Sequence, residues 1–160
     1  MNLFYLNHDP KIAAANHYDK HKVKMILEAA QMLCTAHHAL GEQHGYDTSY
    51  VPYKKAHLNH PSTVWVRSSA EHYVWTCDYM MALSNEYTKR YNKIHMSVHK
   101  LSNILYNLPD HIPHNGFVEP PQCMPDEYKV ENDAVSAYWN YYENEKHTVR
   151  NKNEPLITRS

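Results

Sequence analysis

The sequence predicts a single all-α domain of four or five helices, and three observations carry that reading. Apolar residues recur with the 3.6-residue period of a helix face in several separate stretches. No alternation of strands with helices supports an α/β sheet. The chain has 160 residues, 42% hydrophobic and 21% charged, which is about one domain and enough to bury a core. Three glycines are too few for glycine-rich nucleotide folds or flexible linkers.

Each element has its own signal. Leu3-Phe4-Tyr5-Leu6 is a short apolar run that reads as a strand or an extended arm. Asp9-Pro10 marks a helix start, because proline suits the first helical position. A long helix is expected from about Asp19 to Ala39, with Val23, Ile26, Leu27, Ala30, Leu33 and Cys34 as its apolar face and Gly41 as its cap. Residues 41–60 are polar and hold two of the three glycines, so they read as loop. Pro61 then opens a helical stretch to about Tyr91, broken near Ser68-Ser69 and capped by Ser62 or Thr63. Leu101, Ile104 and Leu105 support a helix from Ser97 to Tyr106, stopped by Pro109. Five prolines between residues 109 and 125 exclude a helix or inner strand. Ile112, Phe117, Val118 and Met124 are expected to anchor that segment as a wrapping loop. A last helix from about Asn132 to Thr148, capped by Asn132 or Asp133, should bury Val135, Tyr138, Trp139 and Tyr142. Residues 149–160 read as a flexible peripheral tail.

Charge and composition bound the function. Sixteen basic against seventeen acidic residues give a net charge of -1, which argues against a strongly basic nucleic-acid coat protein. The balance is uneven: +1 over residues 1–60, +2 over 61–108 and -4 over 109–160. An anionic partner is therefore drawn to the first two-thirds. Cys34, Cys77 and Cys123 show no CxxC spacing and read as thiols in a reducing cytoplasm. No apolar run is long enough for a membrane span, and no membrane association is expected.

The unusual counts are 14 histidines and 14 tyrosines. The densest cluster is HYDKHKVK, residues 17–24. On a helix, His17, His21 and Lys24 share a face that Lys20 can join. Such a face suits an acidic ligand or acid/base work. His21 is the acid/base candidate, Lys24 orients an anion, and Glu28 or Asp19 tunes the site; a plain Lys24–Glu28 helix pair also accounts for Glu28. A second cluster, Lys54, Lys55, His57 and His60, precedes a helix N-terminus with Arg67 just beyond, and is the phosphate-binding candidate. Arg90, Tyr91, Lys93, His95 and His99 form a third polar region, an interhelical loop or a stacking platform with cationic support. Glu86 and Arg90 should pair on the surface, and Asp78 has no evident partner. In the aromatic run Tyr138–Tyr142 core or rim packing is the default, with Trp139 and Tyr142 inward and Tyr141 as the residue that can serve a protein-partner surface or a stacking platform. The HExxH zinc pattern is absent, and neither metal nor cofactor is expected, although the His17–His21 spacing allows a metal.

Three stretches carry a family resemblance: the short N-terminus running into a polar helix, NHPSTVWVR, and LSNEYTKRYNKIHMSVHKL. Together they resemble the small helical pyrimidine-dimer DNA glycosylase/AP-lyase family encoded by phages. The elements concerned are His60-Pro61, Arg67, Glu86-Tyr87, Arg90-Tyr91 and His95. The resemblance implies an N-terminal amine that attacks the sugar C1′ of a damaged nucleotide. It also implies a carboxylate from the first long helix, basic residues on DNA phosphates, and base extrusion. Asn2 stands where a small residue normally follows the initiator Met, so the amine would belong to Met1. The first helix carries Asp19, Lys20, His21 and Lys24 in place of an arginine-rich run, with Glu28 a turn later. The expected function is a small enzyme acting on nucleic acid or a nucleotide, in its most concrete form a DNA lesion glycosylase/AP-lyase. A non-catalytic helical inhibitor or adaptor and a histidine-ligated metalloenzyme are the alternatives.

Overall fold

Two long helices, α2 (Asp19–His44) and α4 (Ala70–Tyr91), lie against each other at the centre of the computed structural model, which describes residues 1–160. Around them sit α1 (Pro10–Ala15) on α4, α3 (Pro61–Arg67) between α2 and α4, α5 (Met96–Leu101) on α2, and α6 (Ala134–Asn144). Two 3₁₀ turns, Asp126–Tyr128 and Lys146–Val149, flank α6, and there is no strand. The fold is all-α as expected, with six α-helices where four or five were expected. Ala29, Ala30 and Ala36 on α2 are fully buried, and such small residues let neighbouring elements approach closely.

The boundaries differ from expectation for identifiable reasons. α2 runs past Gly41 to His44 and ends at Gly45, whose φ of 76° is the left-handed conformation that closes a helix. Gly41 serves another purpose. The returning chain lies on it, so a Cβ there would meet Tyr46 O at 2.9 Å and Thr48 Cγ2 at 2.5 Å. The helical stretch from Pro61 does break at Ser68-Ser69, separating α3 from α4. Its cap is neither Ser62 nor Thr63, both buried; His60 Nδ1 accepts the Ser62 N–H at 3.1 Å. His95 caps α5 in the same way through Ser97 N, and α5 stops at Leu101, short of Tyr106. Ile104 and Leu105 remain buried from the turns that follow. α6 is shorter than expected, with Asp133 as its cap.

The proline-rich segment wraps as expected, and of its four expected apolar anchors Ile112 is buried and Met124 is partly buried against the core. Phe117 and Val118 are exposed. The segment is also held by backbone groups: Ala70 N–H donates to Pro113 O, Trp65 Nε1–H to Val118 O, and Val118 N–H to His72 Nε2. The expected Glu86–Arg90 pair is replaced by Lys22–Glu86 and Arg90–Asp19, which tie α4 to α2. Asp78 accepts a hydrogen bond from Tyr106. Residues 150–159, expected as a peripheral tail, return to the body. Glu154 accepts the Asp19 N–H at the start of α2, where Tyr18 offers no side-chain cap. Ile157 N–H donates to Tyr18 Oη.

The N-terminal arm is extended and belongs to the core. Leu3, Phe4, Tyr5 and Leu6 are all buried, and Trp139 Nε1–H of α6 donates to Leu6 O at 2.7 Å. Phe4 has a φ of 43°, a strained conformation for a bulky residue that the surrounding packing must enforce.

Two predictions follow from these contacts. Gly41→Ala would stabilise a free helix by about 1 kcal/mol. In this protein it should instead lower stability by about 1–3 kcal/mol in denaturant unfolding, because the chain on Gly41 must move. The second concerns buried histidines. Burial pushes His17 down to about 3, and His21 and His37 down to about 4, from an ordinary 6.5. The unfolded chain therefore binds more protons, so stability is fullest above about pH 6.5 and falls as the pH drops toward these values. Thermal melts between pH 7.5 and 5 should show that loss, with a limiting slope of about 1.4 kcal/mol per pH unit per histidine. His17→Gln should flatten it.

Candidate active site

The arm delivers the amine of Met1 to α2. Met1 N lies 3.2 Å from Glu28 Oε1, with the Met1 side chain 1% exposed and the Glu28 side chain 12% exposed. Asn2 fixes the approach: its Nδ2 donates to Cys123 O at 3.0 Å and its Oδ1 accepts the Leu3 N–H at 2.9 Å. Lys24 Nζ is 4.0 Å from the other Glu28 oxygen and is 71% exposed. A cavity of about 360 Å³ opens over this pair, and Phe4, His21, His60, Cys123, Tyr141 and Lys146 also line it. Lys146 Nζ sits over the Tyr141 ring at 4.7 Å and the Phe4 ring at 5.8 Å. Four larger clefts lie elsewhere; of the two widest, one lies between Asp19, Arg90 and the tail, the other between Asp9, Asp78 and Tyr106. None of the four contains the terminal amine.

The histidines at the site divide into two kinds. His17 has both ring nitrogens engaged within the fold. Its Nδ1–H donates to Ala13 O at 2.6 Å, so its Nε2 accepts from Tyr79 Oη at 2.7 Å. It precedes α2 and supports the arm rather than lining the cavity. His21 does line it. Its ring stacks on Phe4 with centroids 4.6 Å apart, and its Nδ1 meets Tyr142 Oη at 2.8 Å. Burial first, then Lys146 and Lys24, hold it neutral near pH 7. The expectation of an ionising acid/base at His21 is thus better replaced by a neutral imidazole. His60 reaches the cavity from the opposite side. Desolvation, the Met1 amine and His57 lower its pKa, while Glu28 opposes them.

The remaining sequence candidates disperse. Asp19 turns to Arg90 at 3.1 Å and Lys22 at 3.9 Å, on the α4 side of α2. Lys20 is exposed on the outer face of α2. The group ahead of α3 does not converge on a phosphate. Lys55 pairs with Glu42, Lys54 and His57 are exposed, and Arg67 donates to Leu58 O at 2.8 Å as a strut within the loop. Arg90 is paired and His95 is a helix cap. Tyr138, Trp139 and Tyr142 are core residues, and Tyr141 is half-buried against Phe4 and Tyr128. What α6 shows to solvent is Asn140, Glu143 and Asn144 rather than its aromatic rings. Phe4, Asn2, Cys123 and Lys146 were not singled out by sequence; only the fold brings them to residue 28.

No group of three His, Cys, Asp or Glu side chains is arranged to hold a metal ion, and no helix is long and apolar enough to cross a membrane. Comparison with known protein families, curated proteins and solved structures found no match.

The pair at the amine should matter to stability unequally. Glu28→Gln leaves the terminal ammonium without its counter-charge and should destabilise by about 1 kcal/mol in denaturant unfolding. Lys24→Ala removes an exposed partner and should change stability by less than about 0.5 kcal/mol.

Proposed function

We propose that the protein is an amine-dependent enzyme acting on damaged or abasic nucleotides in DNA, a lesion glycosylase/AP-lyase. The observation that carries the reading is the Met1 amine held 3.2 Å from Glu28 in a lined cavity. An amine of this kind needs a neighbouring base to free its lone pair, and Glu28 is within reach to take the proton. The free nitrogen then bonds to C1′ of the sugar. In a damaged nucleotide the glycosidic bond breaks and its electron pair leaves with the base; the C1′–O4′ bond then opens, with a proton from the nitrogen passing to O4′. In an abasic sugar the open aldehyde loses water. Both routes give an imine between C1′ and the Met1 nitrogen. Loss of a C2′ proton then expels the 3′ phosphate and cuts the strand.

The surroundings suit a polyanion. At about 100° per residue, Lys20, Lys24, Leu27 and Gln31 form the outward strip of α2, between the cavity and the α4–α5 end. That end carries Lys89, Arg90, Lys93 and Lys100 with no acidic residue from 87 to 109. Tyr91, Ile94 and Met96 are exposed there, as apolar groups that meet a nucleic-acid groove or stack must be. Phosphates across this strip would leave a displaced nucleotide near Glu28.

The test is borohydride trapping on a duplex with one abasic site, using protein whose free Met1 amine is established by intact mass. The reading expects a covalent complex, strand cleavage without borohydride, and loss of both when the amine is acetylated. Glu28→Gln should slow trapping by about 10²-fold or more. Wild-type protein that neither traps nor cleaves overturns the reading.

A further inference from the structure

We propose that His21 works in this cavity as a neutral hydrogen-bond donor through Nε2–H, and that Tyr142 is the positioning residue that keeps its proton there. The assignment of the proton is independent of the enzymatic reading; the catalytic role rests on it. The argument is an accounting of one hydroxyl. Tyr142 is fully buried, and its Oη accepts the Tyr18 N–H at 2.9 Å. The hydroxyl hydrogen must then find an acceptor, and the other polar atom within reach is His21 Nδ1 at 2.8 Å. Were Nδ1 protonated instead, Tyr142 Oη would accept from both neighbours and its own hydrogen would be left in the core without an acceptor. The chain Tyr18 N–H, Tyr142 Oη–H, His21 Nδ1 therefore runs one way, and the neutral ring carries its hydrogen on Nε2.

That Nε2 has no partner in the protein, although His21 is only 5% exposed and its ring is held by Phe4. Nor is it among the fully enclosed polar atoms left without a partner, so the cavity reaches it. His60 repeats the arrangement: its Nδ1 is taken by Ser62 N–H, which leaves Nε2 as the protonated nitrogen on the opposite wall. The contrast is His17, whose Nδ1–H is committed to Ala13 O. Proton transfer falls to Glu28, while His21 supplies a fixed donor to oxygen. When the Met1 nitrogen bonds to an aldehyde carbon, the carbonyl electron pair moves to oxygen. Nε2–H stabilises that charge until two of the nitrogen's protons, carried in turn by Glu28, reach the oxygen and water leaves.

Nitrogen-15 NMR of the histidine rings at pH 7 reads the tautomer directly. The expected result is a protonated Nε2 and an unprotonated Nδ1 at His21, and a mixture of tautomers in Tyr142→Phe. A protonated Nδ1 at His21 in the wild type overturns the assignment, whatever the enzyme does. The role is read from trapping rates on the abasic duplex. Tyr142→Phe should slow trapping about tenfold to a hundredfold. Duplex affinity should stay unchanged. His21→Gln, which keeps an N–H near the Nε2 position, should retain most of the rate that His21→Phe loses. Equal rates in His21→Phe and wild type overturn the catalytic role. Wild-type protein that never traps DNA fails the enzymatic reading and overturns that role with it, while the NMR result still decides the tautomer.

Discussion

Burial of an extended arm with no secondary structure of its own governs the candidate site. Leu3 to Leu6 have no ladder to satisfy their backbone, so single contacts do it: Trp139 of α6 at Leu6 O, and within the arm Asn2 at Leu3 N and Phe4 O at Leu6 N. The four apolar side chains are each almost fully removed from water, Phe4 against His21 of α2 and Tyr142 of α6, Tyr5 against Trp75 of α4. At roughly 1.5–3 kcal/mol per large apolar side chain, that burial is ample to hold Phe4 in its strained conformation. The consequence is positional. With residues 3 to 6 immobilised, the amine two residues earlier has little freedom left, and it rests against Glu28.

The polar part of the core obeys the same economy. Histidine and tyrosine rings pair across the interior: His17 with Tyr79, His21 with Tyr142, His37 with Tyr73. Each pairing joins a ring nitrogen to a phenol hydroxyl that would otherwise be buried unsatisfied. Of the histidines that look like ligands in the sequence, His17 is taken up at both ring nitrogens in this way. His37 is the exception in the core, with Nδ1 unpartnered.

What the sequence made legible follows the range of the forces involved. The break at Ser68-Ser69, the Pro10 and Pro61 starts and the inward face of α6 depend on neighbours a few residues away, and were readable. The extension of α2 past Gly41 was not, because that glycine answers to Tyr46 and Thr48 folding back rather than to helix capping. In the site, His21, Lys24 and Glu28 share a helix face and were found by spacing. Asp19 and Lys20 were grouped with them, although Asp19 lies on the α4 side of the helix and Lys20 on its outer face. Lys146, Tyr141, Cys123 and Phe4 come from distant parts of the chain, and no local pattern links them to residue 28. Arg67 looked like a phosphate ligand because its charge is visible in sequence and its bond to Leu58 O is not.

The account therefore turns on one atom, the nitrogen of residue 1, against several lysines that could do similar chemistry nearby. Peptide mapping of the borohydride-reduced complex with an abasic duplex separates them. The sugar remnant should be found on the N-terminal peptide, bonded to the Met1 nitrogen. A remnant on the side chain of Lys24 or Lys146 would contradict the account, since it would make the Met1–Glu28 pair a structural contact beside a lysine-based site.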